Sequence, residues 1–145
     1  MRLLAVDYGL ERMGLAVCDA DETMAFPLRT LRLADYHGRK AQLDALAALI
    51  RAENADGVVI GLPLHGDGAE SESSRRVRNF CARLRRRVDL PFYFMPEYLS
   101  SQEALADLAE AGVPWRRRKA VLDQQAACRI LSSFLHLAPE QRQPA

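Results

Sequence analysis

The sequence predicts an α/β fold, a mixed five-stranded sheet with helices on both faces, on three observations. Leu3–Asp7 and Met13–Cys18 are short apolar runs around the polar break "YGLER", the pattern of a strand, a turn and an antiparallel strand. Two more short runs, "DGVVIGLPL" and "LPFYFM", are bounded by Gly and Pro. Between and after them, apolar residues recur at three- and four-residue spacing, the period of helices with one buried stripe. The order β, β, β, α, β, α, β, α, α opens as a meander and continues with strands and helices in alternation, so the later strands run parallel.

In chain order, Leu3–Asp7 and Met13–Cys18 make the hairpin and Met24–Leu33 the third strand, placed at an edge because Pro27 has no N–H to give a ladder. From about Gly38 to Glu53, Leu43, Leu46, Ala47 and Ile50 mark the first helix. "DGVVIGLPL" is continuous rather than alternating, as in a strand covered on both faces. Val77, Phe80, Cys81, Leu84 and Val88 mark the second helix, and Glu70 and Glu72 near its start suit the helix dipole. After "LPFYFM", a third helix is expected from Ser101 to Glu110, ended before Gly112 and capped by Ser100 or Ser101. A fourth runs from Lys119 to Leu135 with the stripe Asp123, Ala127, Ile130, Leu131 and Phe134. The closing "APEQRQPA" has nothing to bury, which gives one domain over residues 1–137 and a flexible tail over 138–145.

Composition narrows the class. The chain has 145 residues, 49% of them hydrophobic and 27% charged, with net charge +1, an ordinary globular balance in which total charge selects no partner. Cys18, Cys81 and Cys128 are odd in number and far apart, which suggests reduced thiols rather than a disulfide framework or a zinc motif. No run reaches the ~18 apolar residues of a membrane span, and none near the N-terminus resembles a signal-peptide core, so a cytoplasmic protein is expected.

Chemistry is expected where acids meet this scaffold. In open α/β sheets, ligands bind beyond the carboxyl ends of parallel strands; Asp7 closes the first strand, and Glu97 follows "FYFM" after one Pro. Asp123 shares a helix face with Ala127, Ile130 and Phe134, so its carboxylate points into the protein, where an unpaired charge is costly. Arg12 or Lys119 could compensate it, and Arg12 is also an expected nucleic-acid contact. Taken together, the three acids form an oxygen-only set without His or Cys, the donor chemistry of Mg²⁺ or Mn²⁺, and two such ions would clamp a phosphodiester.

Arg75, Arg76, Arg78, Arg83, Arg85, Arg86 and Arg87, with "WRRRK" (Trp115, Arg116, Arg117, Arg118 and Lys119), put eleven of the twenty basic residues into eighteen positions that hold no acid. Such a concentration is the footprint of a nucleic-acid backbone or of a solvated helix face. Trp115 either stacks on an unpaired base or fills a gap. Gly9 would let a phosphate come close. His65, in the loop "HGDG", is either a substrate contact or simply exposed.

Four blocks lie in order from Arg2 to about Leu135: "VDYGLERMGLAV", "VVIGLPLHGDGAES", "PEYLSS" with "EALADLAEAG", and "RRRKAVLDQQAACRILSSFL". Together they resemble the YqgF/RuvX family of Holliday junction resolvases. The resemblance implies a ribonuclease H-like fold and a metal-dependent endonuclease that cuts structured nucleic acid, with a role in processing the 5′ end of 16S rRNA precursor. It places the family's acids on Asp7, Glu97 and Asp123, and a further phosphate contact on the serines at 100 and 101. This chain departs from the family pattern at Pro96 and Tyr98, which stand for an acid and an arginine, at Glu11 for a basic residue, and at His65 for asparagine. Branched DNA and structured or single-stranded RNA are the implied partners, and paired incisions would call for a symmetric homodimer. Two alternatives stay open. One is a nucleic-acid-binding module that cuts little, in ribosome assembly or DNA repair; the other is a phosphotransferase of the actin and hexokinase kind, for which 145 residues leave no second domain to close over ATP.

Overall fold

The computed structural model describes residues 1–98 and 115–145, the side chains of 115–122 excepted. Strands β1 (Leu3–Tyr8), β2 (Arg12–Cys18) and β3 (Ala25–Arg32) form the meander, followed by α1 (Arg39–Ala52), β4 (Gly57–Pro63), α2 (Glu72–Arg85), β5 (Phe92–Glu97), α3 (Trp115–Leu135) and β6 (Gln143–Pro144). The sheet order is β3-β2-β1-β4-β5-β6. β1 pairs antiparallel with β2 and parallel with β4, β5 runs parallel to β4, and β3 and β6 are antiparallel edges. The helix expected over 101–110 lies outside the described residues, as do Ser100 and Ser101.

Alternation along the strands sorts the core into two layers. Leu4, Val6, Val58 and Ile60 face α1 and α2, whose stripes Leu43, Leu46, Ala47 and Ile50 and Val77, Phe80, Cys81 and Leu84 are all buried. Leu3, Ala5 and Val59 face the other way, onto Ala127, Ile130, Leu131 and Phe134 of α3. α3 packs close at Gly61, where a Cβ would sit 2.5 Å from the Ile130 Cδ1. Gln42 interrupts the α1 stripe, and its Nε2 donates to the Leu31 carbonyl at 3.0 Å, so the buried amide keeps a partner.

Three expectations need correction. The sheet has six strands, because residues 143 and 144 pair with Phe94 and Tyr93. The segment expected to have nothing to bury holds Arg142, whose guanidinium bonds Glu22 at 2.7 Å and lies 4.7 Å over the Phe134 ring. That side chain is only 12% exposed. The last helix begins at Trp115, so "WRRRK" is helical rather than a lead-in. Cys18 and Cys81 are buried and Cys128 is half-buried, all three as free thiols. No described helix is long and apolar enough to cross a membrane.

Candidate active site

Strand parity decides where the acids project. In β1, Leu3 and Ala5 face α3, and Asp7 is the next residue of that parity. In β5, Tyr93 and Met95 face α3, and Glu97 follows in the same step. Asp123 lies four residues before the buried Ala127, one turn along the same helix face. The three acids therefore gather on the α3 side of the sheet, at the ends of β1 and β5. In the β1–β2 ladder Asp7 is paired with Gly14, so no side chain rises from that partner toward α3.

Their electrostatics show how near they stand. Burial, then the charge of Asp123, push the Asp7 carboxyl up to about 7. Glu97 is pushed up to about 7 as well, by burial first and the Asp7 charge second, against the pull of Arg129. Asp123 is raised by burial against the pull of Arg12. Arg12 Nε stands 3.0 Å from Asp123 Oδ2, yet that oxygen is buried with no hydrogen-bond partner among the described residues. Charge alone meets it there. Asp7 thus interacts with each of the other acids, while among the described residues no three His, Cys, Asp or Glu side chains converge closely enough to ligate one ion.

Beside Asp123 opens a cleft of about 450 Å³, between the β1–β2 turn, the end of β4 and the start of α2. Gly9, Arg12 and Arg76 line it, so three of the expected nucleic-acid contacts sit next to the acids. A Cβ at Gly9 would sit 2.6 Å from the Arg12 carbonyl oxygen, so the closeness met there is to the turn's own backbone. The arginines of α2 are less uniform than the sequence suggests: Arg76 pairs with Glu72 at 2.9 Å, Arg78 with Glu70 at 2.7 Å, and Arg87, just past the helix, with Asp44 at 2.7 Å. Arg75 is exposed on the first turns of the helix. His65 is exposed in the loop after β4, its backbone held by Ala69 and Gly68. The side chains of Trp115, Arg116, Arg117, Arg118 and Lys119 lie outside the described residues.

Sequence reasoning passed over Arg129, the cation acting on Glu97. It stands one position before Ile130 of the buried stripe, so spacing marks it only as a flank of the helix face, and its neighbour Glu97 is apparent only after folding.

The chain matches the model of a family described as "RuvX: Holliday junction resolvase" over residues 1–137. It is 50% identical over 144 residues to a protein of Oleidesulfovibrio alaskensis named "Putative pre-16S rRNA nuclease", with 99% of this chain and 98% of the relative covered. A protein of the same name from Neisseria gonorrhoeae is 40% identical over 138 residues, with 95% and 89% covered. Among solved structures, T. thermophilus RuvC in complex with a Holliday junction substrate superposes with a TM-score of 0.62 over 100% of both chains. At 13% identity that likeness is one of fold.

Proposed function

The chain belongs to the RuvX family of Holliday junction resolvases, a family of nucleases, and from that premise we propose a divalent-metal-dependent endonuclease acting on structured nucleic acid, in which Asp7, Glu97 and Asp123 hold Mg²⁺ or Mn²⁺. The observation that carries the proposal is the state of Asp7: burial and the charge of Asp123 both oppose its ionisation, and Glu97 feels its charge in turn. The donor set fits hard cations. It is oxygen only, and it includes a buried Asp123 oxygen without a hydrogen bond. Bound there, such ions supply Lewis acidity to a phosphodiester and acidify the attacking water. The chain's own residues orient the strand: Arg12 and Arg76 meet phosphates at the rim of the cleft. Four-way junction DNA and 16S rRNA precursor are the two substrate classes to try, in the cytoplasm.

A second reading, a binding module that cuts little, is favoured by the Arg12–Asp123 ion pair, which gives one acid a cation from the chain itself. Incubating wild type and Asp7→Asn with a four-way junction and with a single-stranded precursor RNA, with and without Mn²⁺, separates the two. Metal-dependent cutting by wild type alone supports the nuclease; binding by both with cutting by neither supports the module.

A further inference from the structure

The cleft beside Asp123 has a composition that metal binding does not explain. Tyr8, Leu10, Pro63 and Val77 give it apolar walls. Leu10 is 43% exposed at the tip of the β1–β2 turn, where its side chain borders the cleft. The turn is held rigidly: Arg39 Nη1 donates to the Leu10 carbonyl at 3.0 Å, and Leu33 N–H donates to the Glu11 carbonyl at 2.7 Å. Tyr8 is fixed from behind by stacking on Phe80, with ring centroids 4.4 Å apart. On the opposite wall, Ser73, Arg76 and Val77 lie at i, i+3 and i+4, one face of α2.

We infer that this cleft takes one unpaired nucleobase of the substrate strand, next to the phosphodiester held at the acids. The inference rests on the nuclease reading above and adds what that site selects. Volume agrees, since about 450 Å³ lies within the range of small-ligand pockets. Chemistry agrees too. A base offers an apolar face and a polar edge, and the cleft offers apolar walls with Glu11 as acceptor and Ser73 as donor or acceptor. A phosphate suits the cleft poorly as its occupant. The start of α2 is closed by a capping box in which Ser71 Oγ accepts from the Ser74 N–H and Ser74 Oγ from the Ser71 N–H, and Glu70 and Glu72 crowd the same end. The arginines at the rim serve the backbone on either side of the base. A fully paired duplex cannot deliver a base into such a recess without extruding it, so the cleft selects strands that are already unpaired at this nucleotide.

The test is an abasic scan. Asp7→Asn protein is titrated with single-stranded RNA and DNA oligonucleotides that carry one abasic residue at successive positions, and the cleavage position is mapped with wild type. One abasic position adjacent to the cut should weaken Kd about 5- to 150-fold, the loss of one stacked base, in whichever series binds. Leu10→Ser, at an exposed position, should shrink that single penalty and leave the others unchanged. A flat profile, with every abasic position costing the same small factor while binding and cutting persist, overturns the inference and leaves the nuclease reading standing. A penalty that survives Leu10→Ser undiminished overturns it as well. Failure of both proteins to bind any oligonucleotide overturns the nuclease reading and the inference together.

Discussion

Gly14 lies directly beneath Asp123. A Cβ on the glycine would strike the Asp123 carbonyl and sit 2.9 Å from the Asp123 Cβ, so β2 and α3 meet backbone to backbone where the acid leaves its helix. Because Gly14 is also the ladder partner of Asp7, this one contact sets how closely two of the acids approach.

Gly14→Ala should therefore destabilise the fold by about 1–3 kcal/mol or more through overpacking against backbone that cannot step aside. Any folded fraction should lose metal-dependent activity as α3 lifts. Gly66→Ala is the control, since nothing lies within 4 Å of a Cβ there, and it should change stability by less than about 0.5 kcal/mol. Urea melts of the two variants check both statements.

Asp7→Asn should abolish metal-dependent cutting and, in EDTA at neutral pH, raise the denaturation midpoint. It removes a carboxylate that burial and Asp123 both disfavour as an ion. Loss of stability at neutral pH would mean that the ionised acid supports the fold.

The same groups fix a pH dependence. Asp7 and Glu97 rise from ordinary values of 3.8 and 4.5 to about 7 in the folded chain, so folding favours their protonated forms. Their contribution is fully present below pH 4 and is lost as pH rises through about 7, on the order of a few kcal/mol between them. The readout is the difference in stability between wild type and Asp7→Asn from pH 4 to 8 in EDTA, which cancels the opposite behaviour of Asp44 and Glu70, held low by Arg87 and Arg78. That difference should widen with pH, and Mn²⁺ should narrow it most above pH 7.

Arg12→Gln leaves the buried Asp123 Oδ2 without its cation and should destabilise the protein by about 1–3 kcal/mol at pH 8. Adding Asp123→Asn should restore most of that loss. A double-mutant cycle at pH 8 measures the coupling, and simple additivity would remove the ion pair from the account.

Much of the fold was readable because its elements announce themselves locally. The stripes of α1, α2 and α3 repeat at helical spacing, and Pro27 marks β3 as an edge, where it is found. The position of Asp123 in a buried stripe directs its side chain inward without any knowledge of its neighbours. What stayed hidden depends on partners remote in sequence. Two residues of β6 carry no strand pattern, and their place depends on Arg142 finding Glu22 120 residues away. Gln42 reads as a polar fault until the Leu31 carbonyl is seen. Arg129 and Gly14 gain their meaning only when Glu97 and α3 arrive above the sheet.

Removing the final eight residues, or changing Arg142 to Ala, tests that hidden part. Among the described residues Glu22 would retain the Met1 amine, at 3.1 Å, and Phe134 would lose the guanidinium above its ring. A loss of about 1–3 kcal/mol in thermal or urea melts is expected, and Arg142→Lys should recover a fraction of it.

Asp123 follows the other two acids in chain order. In a growing polypeptide, Asp7 and Glu97 are both in place before α3 is made to cover Leu3, Ala5 and Val59. Until that helix is made, Leu3, Ala5 and Val59 have nothing to cover them on that side of the sheet. The acid of the helix therefore joins a sheet edge whose other two acids are already laid down.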